Sequence, residues 1–260
     1  MPRFAPLVLI SVLAVSACSK PADKAAAPAD TTATPAAEPA PPPPPAGPQA
    51  IVTVLYKWPK SPAAFEKYYP THLKIVGDGK AEIGFTKAEL TKFTTSTDGK
   101  KPQFYRQAEL YFPDTAAARK GMATEAFKKV GDDFKNFASG GLVGLFAVET
   151  GDKSETACPA LVTVIYHAPK DPAAFESYYP THLKIVSDGQ SEIGFDRADL
   201  TKFVANLDGS APAEYRQAEL CFPSMDALKK GTATPAFKKV GGDFKNFATG
   251  GLAGMIGEQK

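Results

Sequence analysis

From residue 51 onward the apolar positions change period several times, and the order of those changes repeats. Ile51 to Tyr56 is a run of β-branched and apolar residues that reads as a buried strand. Ser61 and Pro62 then open a helix. The serine is placed to cap orphan amides, and the proline suits a first helical position that needs no N–H. Phe65, Tyr68, Tyr69, His72, Leu73 and Val76 follow at helical spacing on one face. Pro70 removes one backbone bond inside this stretch, so a kink or break is expected just before His72. Phe85 to Thr95 holds a second strand, Asp98-Gly99 a turn, and Phe104 to Phe112 a third strand stopped by Pro113-Asp114. Phe127, Val130, Phe134 and Phe137 mark a further apolar helical stripe that ends at Gly140-Gly141, and Leu142 to Val148 is the last strand.

An offset of 110 residues carries this pattern onto the second half without a gap: Tyr56 falls on Tyr166, His72 on His182, Arg106 on Arg216 and Phe137 on Phe247. The chain therefore reads as a tandem duplication, with one module over 51–150, a linker over 151–159 and a second module over 160–260. Each module has the order β-α-β-β-α-β. That order gives an α+β, ferredoxin-like unit: a four-stranded antiparallel sheet with both helices on one face. The other face is apolar and bare, and two modules in one chain can cover each other sheet to sheet. The expected state is a monomer with an internal pseudo-dimer.

The start of the chain differs. Arg3 followed by the apolar run Phe4 to Val15 reads as an export signal over residues 1–17, too short to span a membrane. Val15-Ser16-Ala17-Cys18 resembles a bacterial lipobox, which would leave Cys18 lipidated as the new first residue. Ser19 after it fits sorting to the outer membrane, facing the periplasm. Residues 18–50 are rich in Ala and Pro and end in Pro41 to Pro45, a composition expected to form a disordered tether. At ~3.1 Å per residue it would reach ~100 Å fully extended. The formal net charge is +2 and basic residues are scattered, so nucleic-acid binding is not expected; the membrane is met through the lipid alone.

The strand Val52-Thr-Val-Leu-Tyr56, Pro59, the helix Phe65-Glu-Lys-Tyr-Tyr-Pro-Thr-His72, the strand Tyr105-Arg-Gln-Ala-Glu-Leu-Tyr-Phe112 and the late Asp133-Phe-Lys-Asn-Phe137 together resemble the EthD family, named for ethyl tert-butyl ether degradation. The resemblance implies a dimeric α/β barrel made of two ferredoxin-like modules. Family members commonly carry a proline soon after the histidine. Here Leu73-Lys74 follows His72, and Pro70 precedes it. The resemblance also implies that a small apolar molecule binds between the layers, and the family name is often attached to oxidoreductases and the superfamily to cyclases.

The polar groups expected near such a ligand are Tyr56, Tyr68, Tyr69, His72 and Arg106, with Tyr166, Tyr178, Tyr179, His182 and Arg216. A histidine near its ordinary pKa moves protons at neutral pH, a tyrosine holds an enolate or phenol oxygen, and an arginine binds carboxylate. His72, His182, Tyr56 and Tyr166 are the catalytic candidates. Against this, an aromatic stripe at helical spacing is ordinarily core, and a histidine beside it is ordinarily a hydrogen-bonded core residue. A non-catalytic carrier or envelope accessory protein is the alternative. No metal is expected, for want of His-x-His, His-Glu-x-x-His or paired cysteines at ligand spacing. No cofactor is expected either, since one histidine per module is thin support for haem.

Two differences between the copies stand out. Lys57-Trp58 becomes His167-Ala168, and Phe104 becomes Glu214. Loss of the indole would open space at one strand end and add His167 to the candidate ligand contacts, so that only one half keeps an open pocket; surface drift explains it nearly as well. Cys158 and Cys221 both belong to the second copy, where the first copy has Pro48 and Tyr111. In the expected topology the start of a module's first strand lies beside the end of its third, which places the two cysteines within bridging range of each other. Export would supply the oxidising compartment that a disulfide needs.

Overall fold

The computed structural model describes residues 48–150 and 158–259; the proposed signal peptide, Cys18 and nearly all of the tether and linker lie outside them. The first module contains β1 (Ala50–Tyr56), α1 (Pro62–Asp78), the short α2 (Lys80–Ile83), β2 (Lys87–Ser96), β3 (Arg106–Phe112), α3 (Thr115–Met122), α4 (Glu125–Asp133) and β4 (Leu142–Glu149). The second repeats it with β5 (Ala160–His167), α5 (Pro172–Asp188), α6 (Gln190–Ile193), β6 (Arg197–Asn206), β7 (Glu214–Phe222), α7 (Met225–Thr232), α8 (Pro235–Asp243) and β8 (Leu252–Gln259). A single 3₁₀ turn, Phe134–Asn136 or Phe244–Asn246, follows α4 and α8.

Capping follows the sequence closely. The Ser61 hydroxyl accepts from the Ala64 N–H at 3.2 Å, and Asp171 accepts from Ala174 at 3.0 Å. Of the kink or break expected at Pro70, the break does not occur: α1 runs unbroken from Pro62 to Asp78, and α5 runs likewise through Pro180. Phe65, Tyr69 and His72 are all buried, so the helix is pinned on both sides of the proline. Burying a large apolar side chain contributes about 1.5–3 kcal/mol, which offsets much of the ~3 kcal/mol cost of an interior proline.

The eight strands close into an antiparallel barrel in the order β1-β3-β2-β8-β5-β7-β6-β4. The two sheets therefore face each other across the interior and also join along both edges, where β2 pairs with β8 and β4 with β6. Among the described residues no edge of the barrel is left unpaired, which removes the aggregation hazard of an open edge. Alternation along each strand divides its residues between two environments. Val52, Val54, Tyr56, Ala108, Leu110 and Phe112 face the helices. Ile51, Leu55, Phe93, Phe104, Tyr111, Leu145 and Met255 fill the barrel.

Polar residues sit in the middle of that interior. Glu109, Glu219, Gln107 and Gln217 are all buried, and they pair across the modules. Gln217 Nε2 donates to Glu109 Oε1 at 3.0 Å, and Gln107 Nε2 donates to Glu219 Oε1 at 3.2 Å. Thr163 adds a hydrogen bond to Glu219 at 2.9 Å. Desolvation raises the pKa of both carboxyls, reinforced for Glu109 by Glu89 and for Glu219 by Glu109. The expected disulfide is present: Cys158 and Cys221 are bonded, with Cα atoms 5.2 Å apart. Cys221 pairs in register with Leu161, three residues after Cys158, so the strand order that led to the bridge is the one observed.

Candidate active site

Each module carries the same chain of side chains beneath its helices. α1 brings His72 down onto the sheet, β1 ends with Tyr56 beneath it, and Asp133 closes α4 beside it. His72 Nδ1 lies 2.8 Å from Asp133 Oδ2, and His72 Nε2 lies 3.5 Å from the Tyr56 hydroxyl. The second module repeats both contacts: His182 to Asp243 at 2.8 Å and to Tyr166 at 3.4 Å. Two further donors hold the carboxylate. Tyr68 OH and Asn136 Nδ2 each donate to Asp133 Oδ1 at 2.8 Å, as do Tyr178 and Asn246 to Asp243.

These contacts fix the protonation pattern. Burial raises the Asp133 pKa, but its donors outweigh burial and hold it below the ordinary carboxylate value, so it is ionised. An ionised carboxylate only accepts, so His72 Nδ1 carries the proton and Nε2 presents its lone pair to the Tyr56 hydroxyl. Burial drives the His72 and His182 pKa values down against the opposing pull of their aspartates, so both rings are neutral at pH 7. Burial likewise pushes Tyr56 and Tyr166 well up, and both remain neutral donors. Aromatic packing fixes the rings: the His72 centroid is 4.6 Å from Phe137 and 5.0 Å from Phe134, and Tyr56 meets Phe65 edge-on at 5.4 Å.

A cavity opens beside each histidine, between sheet and helices. The one in the first module has about 300 Å³, with Tyr56, Tyr69 and His72 in a wall otherwise built mainly from Val52, Leu110 and similar apolar side chains. The one in the second has about 410 Å³ and is lined by Tyr166 and His182 in the same way. Both lie within the size range of small-molecule sites. Both halves thus keep a pocket, and the expectation that one half alone stays open is corrected.

The other sequence candidates divide. Tyr69 and Tyr179 are both buried in the aromatic layers, and Tyr69 also lines the first cavity. Tyr68 and Tyr178 support the aspartates and do not line the cavities. Arg106 is not available to a ligand carboxylate, because Glu66 engages it at 2.6 Å and 3.2 Å; Glu176 does the same for Arg216. Those arginines also lie over the Tyr69 and Tyr179 rings at 4.8 Å. His167 is at the end of β5 opposite Glu214, away from the His182 cavity. Trp58 packs on Tyr105 at 4.9 Å and donates to the Pro102 carbonyl at 2.7 Å. With Phe104 and Glu214 it lines an open depression at one end of the barrel, so these asymmetries reshape the barrel end and leave the histidine cavities untouched.

Sequence reasoning missed the role of Asp133 and Asp243, which are 61 positions from their histidines. A signal was present: the Asp and Asn of Asp133-Phe-Lys-Asn136 lie three apart, and so share a helix face. Among the described residues no group of three or more His, Cys, Asp or Glu side chains is arranged to hold a metal ion.

The comparisons with known proteins agree with this architecture. The model of the EthD domain matches twice, over residues 57–141 and 167–251. An uncharacterized 11.0 kDa protein in the thcB-thcC intergenic region of Rhodococcus erythropolis is 35% identical over 99 residues, covering 38% of this chain and 92% of that protein. Among solved structures, an anthrone oxidase-like protein aligns with a TM-score of 0.55 at 14% identity, over 82% of this chain and 92% of its own. A candidate monooxygenase of Fusobacterium nucleatum aligns with a TM-score of 0.51, also at 14% identity and with the same coverage. At such identity these two likenesses concern the fold alone. With both modules matched and the barrel completed within one polypeptide, the chain belongs to the EthD domain family, as a tandem pair of its domains.

Proposed function

We propose that each module binds a small apolar molecule bearing an enol, phenol or ketone oxygen, and that its histidine moves a proton on that molecule. The carrying observation is the Asp133–His72–Tyr56 chain, repeated as Asp243–His182–Tyr166, set in the wall of an apolar cavity. In this reading the ligand displaces the long Tyr56 contact at His72 Nε2. The imidazole takes a proton from an acidic C–H or O–H, and the electron pair stays on the ligand as an enolate or phenolate. The neutral Tyr56 hydroxyl donates to that oxygen, and the ionised Asp133 stabilises the imidazolium. Return of the proton at another carbon gives isomerisation. Loss of electrons from the anion needs an acceptor, for which dioxygen is the simplest. The names of the structural neighbours motivate testing that branch.

The test uses anthrone, whose acidic methylene reports proton transfer. Hydrogen–deuterium exchange there, read by NMR, is expected to be faster with protein than in buffer, and oxygen uptake separates the redox branch. His72→Gln and His182→Gln together should abolish the acceleration while the melting temperature is kept. Binding without any acceleration would favour the second reading, a carrier, which the predominantly apolar cavity walls support. We further place the barrel in the cell envelope, held by a lipid on Cys18; mass spectrometry of the mature N-terminus should find a diacylglyceryl cysteine there.

A further inference from the structure

The turn between β2 and β3, and its counterpart between β6 and β7, each reach across to the other module. Thr97 lines the cavity of the second module, and Leu207, its equivalent at the offset of 110, lines the cavity of the first. Both are fixed by backbone bonds that extend the inter-module ladders: Thr97 N–H donates to the Gly254 carbonyl at 3.0 Å, and Leu207 N–H to Gly144 at 2.9 Å. Each side chain lies over its glycine. A Cβ added at Gly144 would meet Leu207 Cδ1 at 2.7 Å, and one at Gly254 would collide with Thr97 Oγ1. These glycines make the room the crossing side chains occupy.

The crossing residues differ in size and chemistry. Leu207 is half-buried against the core cluster of the first module, and so covers that cavity with hydrocarbon. Thr97 is exposed and brings a hydroxyl to the rim of the second. A second replacement runs the same way: Thr232 lines the larger cavity where the first module has Met122 packed into its core cluster. The Thr232 hydroxyl donates to the Leu228 carbonyl at 3.0 Å, so its oxygen remains an acceptor. Gly254 lies opposite Val164, two ladder positions from Tyr166 and its partner Leu252. At ~3.4 Å per residue, Thr97 is thus about 7 Å along the strand from the level of the tyrosine.

We infer that the two cavities take different ligands: the first a compact, wholly apolar ring with one oxygen at the His72 end, the second a longer molecule with a further hydroxyl that meets Thr97. The crossing residue of the opposite module sets the choice. This rests on the cavities being ligand sites, as proposed above. The physical basis is the asymmetry between apolar and polar rejection. A ligand hydroxyl buried beneath Leu207 would lose its water partners unpaid, whereas beneath Thr97 it keeps a hydrogen bond.

The chain has three histidines, so ring NMR reads each cavity separately, with His167→Gln assigning the third signal. The probes are 2-naphthol and 2,6-dihydroxynaphthalene. The expected result is that 2-naphthol perturbs the His72 ring at a concentration at least fivefold below that needed for the dihydroxy compound. The His182 ring should prefer the dihydroxy compound. The double exchange Thr97→Leu with Leu207→Thr should reverse both preferences. Equal responses of both rings to both probes, or preferences unchanged by the exchange, would overturn the inference while leaving the cavities as sites. Silence of both rings toward both probes would remove the ligand sites themselves, and the inference with them.

Discussion

The two faces of the same sheet solve opposite problems. The helix-facing side carries a neutral imidazole held by an ionised aspartate, with a cavity beside it in each module. The barrel side carries two carboxyl groups at the centre of a packed interior, paired with glutamines of the opposite module. On one side a buried acid is kept charged by three donors. On the other, burial with too few donors raises the pKa, and the Glu109 Oε2, Gln107 Oε1 and Gln217 Oε1 atoms have no hydrogen-bond partner. The Tyr69 and Tyr179 hydroxyls on the helix side also lack a partner, but the Asp–His pairs are fully held, and a fixed Asp–His pair beside a void suits chemistry. Poorly satisfied polar groups in a closed interior suit specificity of pairing, because crossed Gln–Glu bonds form only in the observed register between modules.

The largest effect should come from the barrel side. Replacing Cys158 and Cys221 by serine removes the bridge across 63 residues, and is expected to lower unfolding stability by ~3–4 kcal/mol in denaturant titrations. Ligand-induced shifts at His72 should survive, since the bridge is in the other module's interior. Next in size is His72→Ala, which leaves Asp133 short of one partner. It should cost about 1–3 kcal/mol of stability and remove proton transfer at the first cavity while His182 works on in the second.

The two faces should also answer pH in opposite senses. The folded pKa of each histidine is depressed below the unfolded value of ~6.5, so the unfolded chain binds the proton more readily. The contribution of the neutral rings is present above that pH and is lost as pH falls through ~6.5 toward the folded value. The carboxyls of Glu109 and Glu219 are raised above ~4.5. Their contribution is present below that pH and is lost as pH rises through the folded values. Glu109→Gln with Glu219→Gln should therefore gain about 1–2 kcal/mol at pH 8 relative to wild type, and little at pH 5. Denaturant midpoints across that range check the sign; a variant that loses more at pH 8 than at pH 5 would break the contrast. The smallest effect is predicted for Trp58→Ala, which should change probe affinity at either histidine by less than about twofold, because the indole lies at the barrel end.

The duplication, the strand order, the helix caps and the disulfide were legible because each rests on local chemistry or on a ladder that fixes neighbours. The site was legible in part. His72 and Tyr56 stood out as polar groups in an apolar pattern, but which group a histidine pairs with depends on how α1 and α4 meet. That is decided by packing among Phe65, Phe134 and Phe137 and not by spacing. Pro70 misled because its local rule is outweighed by burial on either side of it. Gln107, Glu109 and Tyr111 alternate with Ala108, Leu110 and Phe112, so a polar stripe on one face of β3 was readable. That it points into a closed interior and not to solvent required knowing that the edges join.

A crystal structure of the protein with 2-naphthol bound tests the central claim most directly. The account predicts density for the naphthol in a sheet–helix cavity, with its oxygen within about 3 Å of His72 or His182 Nε2 and of the tyrosine hydroxyl beside it. Density instead in the depression lined by Trp58, Phe104 and Glu214, with both histidine cavities empty, would contradict it.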